Sequence, residues 1–207
     1  MADQERGGRQ LIEGARIHLR AVVPADVTDR YCRWMNDPEV VQFLESRFQP
    51  SSRETILAYV KKMGDAADYL FLAICLNEGG VHIGNIKIGP IDWIHRFADV
   101  SLLIGERDWW GRGLGAEAIG LVVGYAFETL NLHKLTACAY RDNVGSLSAF
   151  AKAGFTEEGV RREQRYSAGR YIDDILLGLV NGGDAGAAPQ GGQRREKRPG
   201  PRRTKKG

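Results

Sequence analysis

The sequence contains little cysteine, and what it has forms no recognisable metal or redox motif. Cys32, Cys75 and Cys138 make no CxxC pair and no zinc-like spacing with the four histidines. Their neighbours are apolar, which favours buried free thiols at all three positions. We therefore expect no bound metal and a reducing, cytoplasmic environment.

Long apolar runs are also missing. A helix that crosses a bilayer needs about 20 apolar residues, and residues 69–76 are among the longest apolar stretches here. Residues 1–10 are polar and lack the apolar centre of a signal peptide. These absences predict no membrane segment and no membrane partner.

A net positive charge is missing outside one segment. The net charge is +3, but residues 181–207 alone carry eight basic and two acidic side chains, so the preceding 180 residues are net negative. This terminal segment has no large apolar residue and is predicted to be a disordered tail. Such a tail is either a solvated solubility segment or a weak contact for nucleic acid or ribosomes. We expect a flexible segment over residues 1–13 and one domain over residues 14–180.

Hydrophobic periodicity within that domain predicts mixed α and β structure. Ser51 and Glu54 fit a capping box that would start a helix. Predicted strands cover residues 16–22, 69–76, 81–91, 99–104, 134–140, 155–161 and 171–180, and predicted helices cover residues 24–35, 114–126 and 143–152.

The most informative segment is a glycine-rich turn over residues 109–117, between a predicted strand and a predicted helix. Such a turn directs backbone N–H groups and the positive end of the helix dipole at a phosphate. A dinucleotide fingerprint would belong in the first βαβ unit, with an acidic residue at the end of the next strand. This turn comes about a hundred residues into the chain, and the next predicted strand ends in Tyr140 and Arg141, so neither condition is met. A Walker A loop would need Gly-Lys-Ser/Thr, which is absent. A purely structural turn stays open as an alternative.

The turn and the segments after it resemble the GNAT superfamily of acyl-CoA-dependent N-acyltransferases over about residues 14–180. Residues 34–40, 130–134 and 153–159 look like the branch that contains Rim-type ribosomal-protein N-terminal acetyltransferases and acetyltransferases of nucleotide-linked amino sugars. The resemblance implies an α+β fold with a mixed, mostly antiparallel central sheet flanked by helices. It rests on Gly113-x-Gly115 at a helix start, Asn143-x-x-Ser146 at the next helix start, and Gly154-Phe155.

The same resemblance implies that acetyl-CoA is the co-substrate. In this family the turn holds the pyrophosphate, and the preceding strand splays so that free amides bind the pantetheine arm and the thioester oxygen. In the family pattern the side chains of Asn143 and Ser146 face the pantetheine arm and the pyrophosphate. Asn143 is also a favoured helix N-cap, and it can fill both roles. The implied cofactor residues are Leu103, Ile104, Gly105, Trp110, Gly111, Arg112, Gly113, Leu114, Gly115, Ala116, Asn143 and Ser146.

Two positions depart from the family pattern. Trp110 stands where Gln or Arg usually precedes the Gly-x-Gly pair, which matters little because backbone amides hold the phosphates. Phe150 stands where many members place a tyrosine that protonates the departing thiolate. The general acid is therefore unassigned, and Tyr140 at the end of a predicted strand is a candidate. Its alternative is a packing ring with a solvent-facing hydroxyl.

Asp99 is the candidate general base, because its position resembles that of the catalytic acidic residue on this strand in some family members. Alternation along a strand places Asp99, Ser101 and Leu103 on one face, so Ser101 could relay a proton through water. The equal alternative is an edge carboxylate near Arg96.

The implied function is transfer of an acetyl group from acetyl-CoA to a primary amine, by direct attack in a ternary complex. The acceptor is expected to be a small-molecule amine such as a nucleotide-linked amino sugar, or a protein N-terminus. Residues 36–48 and the hairpin near residues 166–171 would cover it. The alternative is a catalytically weak CoA-binding or ribosome- or RNA-associated module that acts through the basic tail. A homodimer is a further partner expectation.

Overall fold

The fold is known from a computed structural model that describes residues 10–182. Most of the predicted tail, residues 183–207, lies outside the described residues. The strands are β1 (Gln10–Glu13), β2 (Ile17–Ala21), β3 (Leu70–Leu76), β4 (His82–Asp92), β5 (Phe97–Ile104), β6 (Lys134–Tyr140), β7 (Thr156–Ser167) and β8 (Arg170–Val180). The α-helices are α1 (Asp29–Asn36), α2 (Pro38–Val41), α3 (Arg53–Asp65), α4 (Leu114–Gly124) and α5 (Val144–Lys152).

Within the described residues the strands form one sheet in the order β1-β2-β3-β4-β5-β6-β8-β7. Neighbouring strands are antiparallel except for β5 and β6, which run parallel. The predicted α+β class, with a mixed and mostly antiparallel sheet flanked by helices, is confirmed. No helix in residues 10–182 is both long and apolar enough to cross a bilayer.

Two hydrophobic cores lie on the two faces of the sheet. On one face α4 and α5 pack against the sheet, and the predicted stripe of α4 is buried at Leu114, Ala118 and Val122. On the other face α1 and α3 pack through residues such as Trp34 and Ile56. Side chains alternate between these faces along β3, so that Leu72 and Ile74 lie in the first core and Ala73 and Cys75 lie in the second.

The described structure differs from the predicted N-terminal part in two places. Gln10–Glu13 forms β1 and pairs with β2, so part of the predicted flexible segment 1–13 belongs to the sheet. The predicted helix 24–35 is a 3₁₀ turn over Pro24–Asp26 followed by α1. The break arises because Thr28 caps a new helix by accepting a hydrogen bond from the Tyr31 N–H.

Three smaller predictions also need correction. The N-cap of α3 is Ser52, whose hydroxyl accepts from the Thr55 N–H at 3.2 Å, so Ser51 does not form the predicted capping box. β7 continues to Ser167, six residues past its predicted end. Cys75 is a buried free thiol as expected, but Cys32 is half-buried and Cys138 is exposed.

Candidate active site

The site begins where two neighbouring strands separate. β5 and β6 pair only over Phe97↔Lys134, Ala98↔Leu135 and Asp99↔Thr136. Beyond Asp99, β5 continues along β4 while β6 continues along β8. The splay that the resemblance implied is therefore present, and it opens the sheet between the two strands.

The backbone groups that face this opening follow from the β4–β5 register. The Gly105 N–H donates to the Ile83 carbonyl at 2.9 Å, so Gly105 faces β4. Because antiparallel pairs alternate, Leu103 also faces β4, whereas Leu102 and Ile104 direct their backbone groups toward the opening. Of the N–H groups predicted to be free at residues 103–105, only that of Ile104 faces the opening. The backbone groups of Leu102 face it as well.

Gly105 has a packing role instead. A Cβ built on it would lie 2.1 Å from the Trp34 indole. Trp34 is 4% exposed and donates its ring N–H to the Glu106 carboxylate at 3.0 Å. Glycine at this position lets α1 approach the end of β5.

The opening continues into a cleft of about 640 Å³. Ser101 to Leu103 of β5 form one wall, and Asn143, Ser146 and Phe150, at the cap and along α5, form another. Residues 43–46, before and within a 3₁₀ turn over Glu45–Phe48, line the far side. Because Arg47 donates to the Tyr166 carbonyl at 2.9 Å, the two segments predicted to cover the acceptor are in contact.

The glycine turn leads directly into α4. Gly111 and Gly113 have φ values of 69° and 78°, in the left-handed region that side chains disfavour. Gly113 is the N-cap of α4 and has no side chain to cover the first-turn N–H groups. The N–H groups of residues 114–116 are therefore available to an anion, and the helix dipole adds positive charge there.

An ion pair from a distant strand holds this turn in place. Arg16, just before β2, donates through its guanidinium to the Arg112 carbonyl at 2.9 Å and to the Glu117 carboxylate at 2.7 Å. Burial acts to raise the pKa of Glu117, but hydrogen bonds from the backbone and side chain of Arg16 outweigh it and lower that pKa. Sequence reasoning missed Arg16 and Glu117, since their partners are about a hundred residues away.

The turn and the cleft share a boundary. A Cβ on Gly115, in the first turn of α4, would lie 3.3 Å from Leu102 and 3.9 Å from Ala149 of α5. Leu102 also lines the cleft. An elongated ligand with an anionic group at the turn can therefore reach the cleft along the opened strand.

The two tryptophans and Arg112 shape the turn. Trp110 donates its ring N–H to the Ile104 carbonyl at 2.8 Å, which ties the turn back to β5. Arg112 stacks over the Trp109 ring, with 4.7 Å between the guanidinium carbon and the ring centroid. Trp110 thus anchors the turn, while Arg112 contributes positive charge beside it.

Asn143 and Ser146 meet at the start of α5. The Asn143 carboxamide oxygen accepts from the Ser146 N–H at 3.1 Å, which caps the helix as expected. Both residues also line the cleft. Phe150, one turn further on, lines the cleft with a ring that packs edge-on against Phe155, so it brings no hydroxyl to the site.

Asp99 lies on the same strand face as Ser101, which lines the cleft. Burial raises the pKa of Asp99 to about 6, against a hydrogen bond from Thr136 and the positive charge of Lys87. The Thr136 hydroxyl donates to the Asp99 carboxylate at 3.2 Å. Arg96, the alternative neighbour, donates to Asn131. Asp99 therefore titrates near pH 6, and it lies two residues from Ser101 without itself lining the cleft.

Tyr140 belongs to a polar network at the far end of the cleft. Its hydroxyl donates to the Glu45 carboxylate at 2.6 Å and accepts from Arg47 at 3.0 Å. Burial and the interaction with Glu45 raise the pKa of Tyr140. Arg165 bridges Glu45 at 3.0 Å and the fully buried Asp174 at 3.1 Å. In this arrangement the Tyr140 proton is directed at Glu45.

Several cleft residues were missed by sequence reasoning. Lys87, Arg165 and Asp174 lie on strands β4, β7 and β8, and no local motif marks them. Alternation could have assigned each to a strand face, but only the register brings these faces together. Within the described residues, no cluster of three or more His, Cys, Asp or Glu side chains is arranged to hold a metal ion.

Comparisons with known proteins agree with this geometry. The acetyltransferase (GNAT) domain family matches residues 16–156. The chain is 33% identical over 178 residues to the uncharacterized N-acetyltransferase YoaA of Bacillus subtilis (strain 168), covering 82% of this chain and 96% of that protein. It is 28% identical over 119 residues to spermidine N(1)-acetyltransferase of Escherichia coli (strain K12), covering 58% of this chain and 62% of that protein.

A solved structure shares the fold. Spermidine N-acetyltransferase from Vibrio cholerae, in complex with CoA and spermine, superposes with a TM-score of 0.72. It is 22% identical and covers 81% of this chain and 96% of that one. At this identity the likeness concerns the arrangement of strands and helices.

Proposed function

The chain belongs to the acetyltransferase (GNAT) domain family and is an acetyl-CoA-dependent N-acetyltransferase, and we propose that it acetylates a primary amine by direct attack in a ternary complex. The observation that carries this proposal is the opening between β5 and β6, which continues into a cleft beside the glycine turn. Acetyl-CoA supplies the activated acetyl thioester. The residues around the cleft would bind and orient the reactants.

The chain's own groups fit the cofactor. The first-turn N–H groups of α4 suit a pyrophosphate, and Arg112 adds positive charge beside the turn. Arg16 is paired with Glu117 and holds the turn in place. The Ile104 N–H and the Leu102 backbone would bind the pantetheine arm and the thioester oxygen. A fixed N–H donor at such an oxygen is typically worth about 3 kcal/mol of transition-state stabilisation.

We propose Asp99 as the general base. An alkyl amine with a pKa near ~10 is almost wholly protonated at neutral pH and must lose a proton before or during attack. A carboxylate with a pKa of about 6 can accept that proton near neutral pH. Ser101, on the same strand face and lining the cleft, would connect it to the amine through water.

Tyr140 is the proposed proton donor to the departing thiolate. Its hydroxyl already carries a hydrogen bond to Glu45, so it would have to turn toward the cleft to act. Phe150 offers no alternative at the position where many relatives place a tyrosine.

The acceptor is proposed to be a small-molecule amine. The Rim-type and amino-sugar resemblance favours a nucleotide-linked amino sugar or a protein N-terminus. Among the relatives, several are named for spermidine and one as a putative ribosomal N-acetyltransferase. We also propose a reducing, cytoplasmic location, which the free thiols of Cys32, Cys75 and Cys138 support. A homodimer and a weak nucleic-acid contact through the tail are further proposals.

A CoA-binding module that acts through the basic tail is the second candidate function. It is favoured only by Phe150, which stands where many family members place a proton-donating tyrosine. Calorimetry with acetyl-CoA and a free-thiol assay over a broad amine panel separate the two. The enzyme should bind acetyl-CoA and release CoA only when an amine is present. Binding without amine-dependent release, together with salt-sensitive RNA binding that is lost on deleting residues 181–207, would favour the module.

The glycine turn gives a direct test of cofactor binding. Replacing Gly113 with alanine places a side chain in the left-handed region, at a cost of roughly 1–2 kcal/mol, and should weaken acetyl-CoA binding about tenfold by moving the turn amides. Calorimetry measures the affinity. Gly169→Ala is the matched control, because Gly169 has a φ of 80° in the β7–β8 turn, which carries none of the proposed cofactor residues, and its Cβ would meet no atom within 4 Å. Equal affinities of the two variants would contradict the assignment.

Asn143 allows a second comparison. Asn143→Ala removes the α5 cap and should lower the free energy of unfolding by about 1 kcal/mol. It should also weaken acetyl-CoA binding by roughly five- to tenfold, the value of one polar contact. Ser52→Ala removes the equivalent cap of α3 and should lower stability by a similar amount without changing that affinity. If Asn143→Ala changed stability alone, Asn143 would be only a cap.

A further inference from the structure

The charged side chains that line the cleft are not all paired with one another. Arg165 binds both Glu45 and Asp174. Lys87, on β4, is within ion-pair distance of no carboxylate among residues 10–182. Its ammonium instead donates to the Tyr59 hydroxyl at 3.3 Å and lies 5.5 Å from the centre of the Tyr69 ring. The charge of Lys87 also acts on the Asp99 carboxyl, but no ion pair in this part of the chain holds its ammonium. A half-buried cation whose direct contacts are neutral is well suited to an anionic ligand.

The groups near Lys87 also suit an anionic ligand. Because the Tyr59 oxygen accepts from Lys87, the Tyr59 proton must point elsewhere and can be donated to an anion. Ser51 brings a further hydroxyl to the cleft just before α3, whereas the Thr55 hydroxyl donates to the Ser52 carbonyl at 2.8 Å. An anion in this space would receive hydrogen bonds from Lys87 and Tyr59 together.

The position of Lys87 also bears on the reaction. Lys87 is directly opposite Ser101 in the β4–β5 register, which places the two Cα atoms about 5 Å apart. Ser101 lies on the strand where the acceptor amine is proposed to lose its proton. An anion held by Lys87 would therefore lie a few bonds from the reacting nitrogen of a short acceptor.

We propose that Lys87 and Tyr59 bind an anionic group, a phosphate or a carboxylate, carried by the acceptor, and so select amines that bear an anion over neutral or polycationic amines. This inference rests on the proposed function and names the substrate class that the site prefers. It separates this chain from relatives that act on spermidine, a polycation.

An electrostatic effect on Asp99 is the competing explanation for Lys87. Its positive charge acts to lower the pKa of that carboxyl. If this were its only role, removing the charge would move the acidic limb of the pH profile to higher pH for every acceptor alike. Recognition of an anion instead changes the ratio between anionic and neutral acceptors at every pH.

Binding provides the first test. With the protein saturated by CoA, so that the glycine turn is filled, calorimetry compares phosphoethanolamine with ethanolamine and β-alanine with β-alaninamide. At least one anionic probe should bind at least tenfold more tightly than its neutral partner, and the pair with the larger difference distinguishes phosphate from carboxylate. Lys87→Met should remove the difference, Lys87→Arg should keep most of it, and Lys61→Met, on the exposed side of α3, should leave it unchanged.

Acetyl transfer provides the second test. In Lys87→Met the ratio of kcat/KM for the anionic to the neutral probe should fall at least tenfold, while the ratio for 1,3-diaminopropane to ethanolamine should not fall. Equal binding of charged and neutral probes by the wild-type protein, or an equal loss for all acceptors in Lys87→Met, would overturn the inference. Absence of acetyl-CoA binding, or of transfer to any amine, would instead refute the proposed function.

Discussion

Replacing Asp99 with asparagine is expected to lower kcat/KM for acetyl transfer by about 100-fold and, at the same time, to stabilise the fold at pH 7. The loss of rate follows from removing the proposed base, a group that typically contributes 10²–10⁴-fold. Asparagine keeps the shape of the side chain and an oxygen that can still accept from Thr136. The geometry of β5 and β6 should therefore be retained.

The gain in stability follows from the raised pKa of this carboxyl. In the folded protein the pKa of Asp99 is about 6, against an ordinary value of 3.8, so the folded state binds the proton more tightly than the unfolded chain. Stability therefore falls as pH rises from about 4 to about 6, and above that range the charged form costs about 2–3 kcal/mol. Asparagine removes this cost at pH 7 and makes little difference below pH 4.

Two measurements check the Asp99 prediction. The wild-type pH profile of kcat/KM should lose activity tenfold per pH unit below about 6, and Asp99→Asn should lack this limb. Denaturant unfolding at pH 7.5 and pH 4 should show the stabilisation only at the higher pH. Asp65→Asn, at the exposed end of α3, is the matched control for both. A variant that unfolds more easily at pH 7.5, or that keeps full activity, would rule out the assignment.

Replacing Gly105 with alanine is expected to destabilise the fold by about 3 kcal/mol, the upper part of the usual range for overpacking a core. The added Cβ would lie 2.1 Å from the Trp34 indole, a distance that no atom pair tolerates. Trp34 is buried and hydrogen-bonded to Glu106, so its ring cannot move without loss elsewhere. For a domain of this size the midpoint temperature should fall by roughly 6–12 °C.

A glycine-to-alanine change at another position should stabilise the fold. Gly64 lies in α3 with open space around its Cβ position, so Gly64→Ala should raise the free energy of unfolding by about 0.5–1 kcal/mol. Combining Gly105→Ala with Trp34→Leu should cost less than the sum of the single changes, because the smaller side chain relieves the overlap. Additive costs in this double-mutant cycle would show that the contact with Trp34 is not the cause.

Several parts of the site could be predicted because they depend on neighbours a few residues away. The left-handed glycines of the turn, the start of α4 at Leu114 and the cap from Asn143 to Ser146 are all local backbone features. The bounds of β6 agree with the prediction for the same reason, since alternation and the flanking polar residues are visible in the sequence.

Other parts were decided by register and packing. Period-two alternation assigned Asp99 and Ser101 to one face, but it does not say where β6 leaves β5. That point determines whether an amide pairs with a strand or faces the cleft, which is why Gly105 was wrongly included among the free amides. The partner of Glu117 could not be inferred either, because Arg16 reaches it across two elements that are adjacent only in the folded sheet.

The sequence by itself determined the glycine turn before α4, most of the strands that follow β1 and, through its resemblance, the acetyltransferase family. These properties are encoded in short segments whose backbone conformations depend on their own residues. Only the tertiary structure brought Lys87 opposite Ser101 and left its ammonium without an ion pair among residues 10–182. A charge becomes a binding group through what surrounds it, and for Lys87 those surroundings come from segments far apart in the chain.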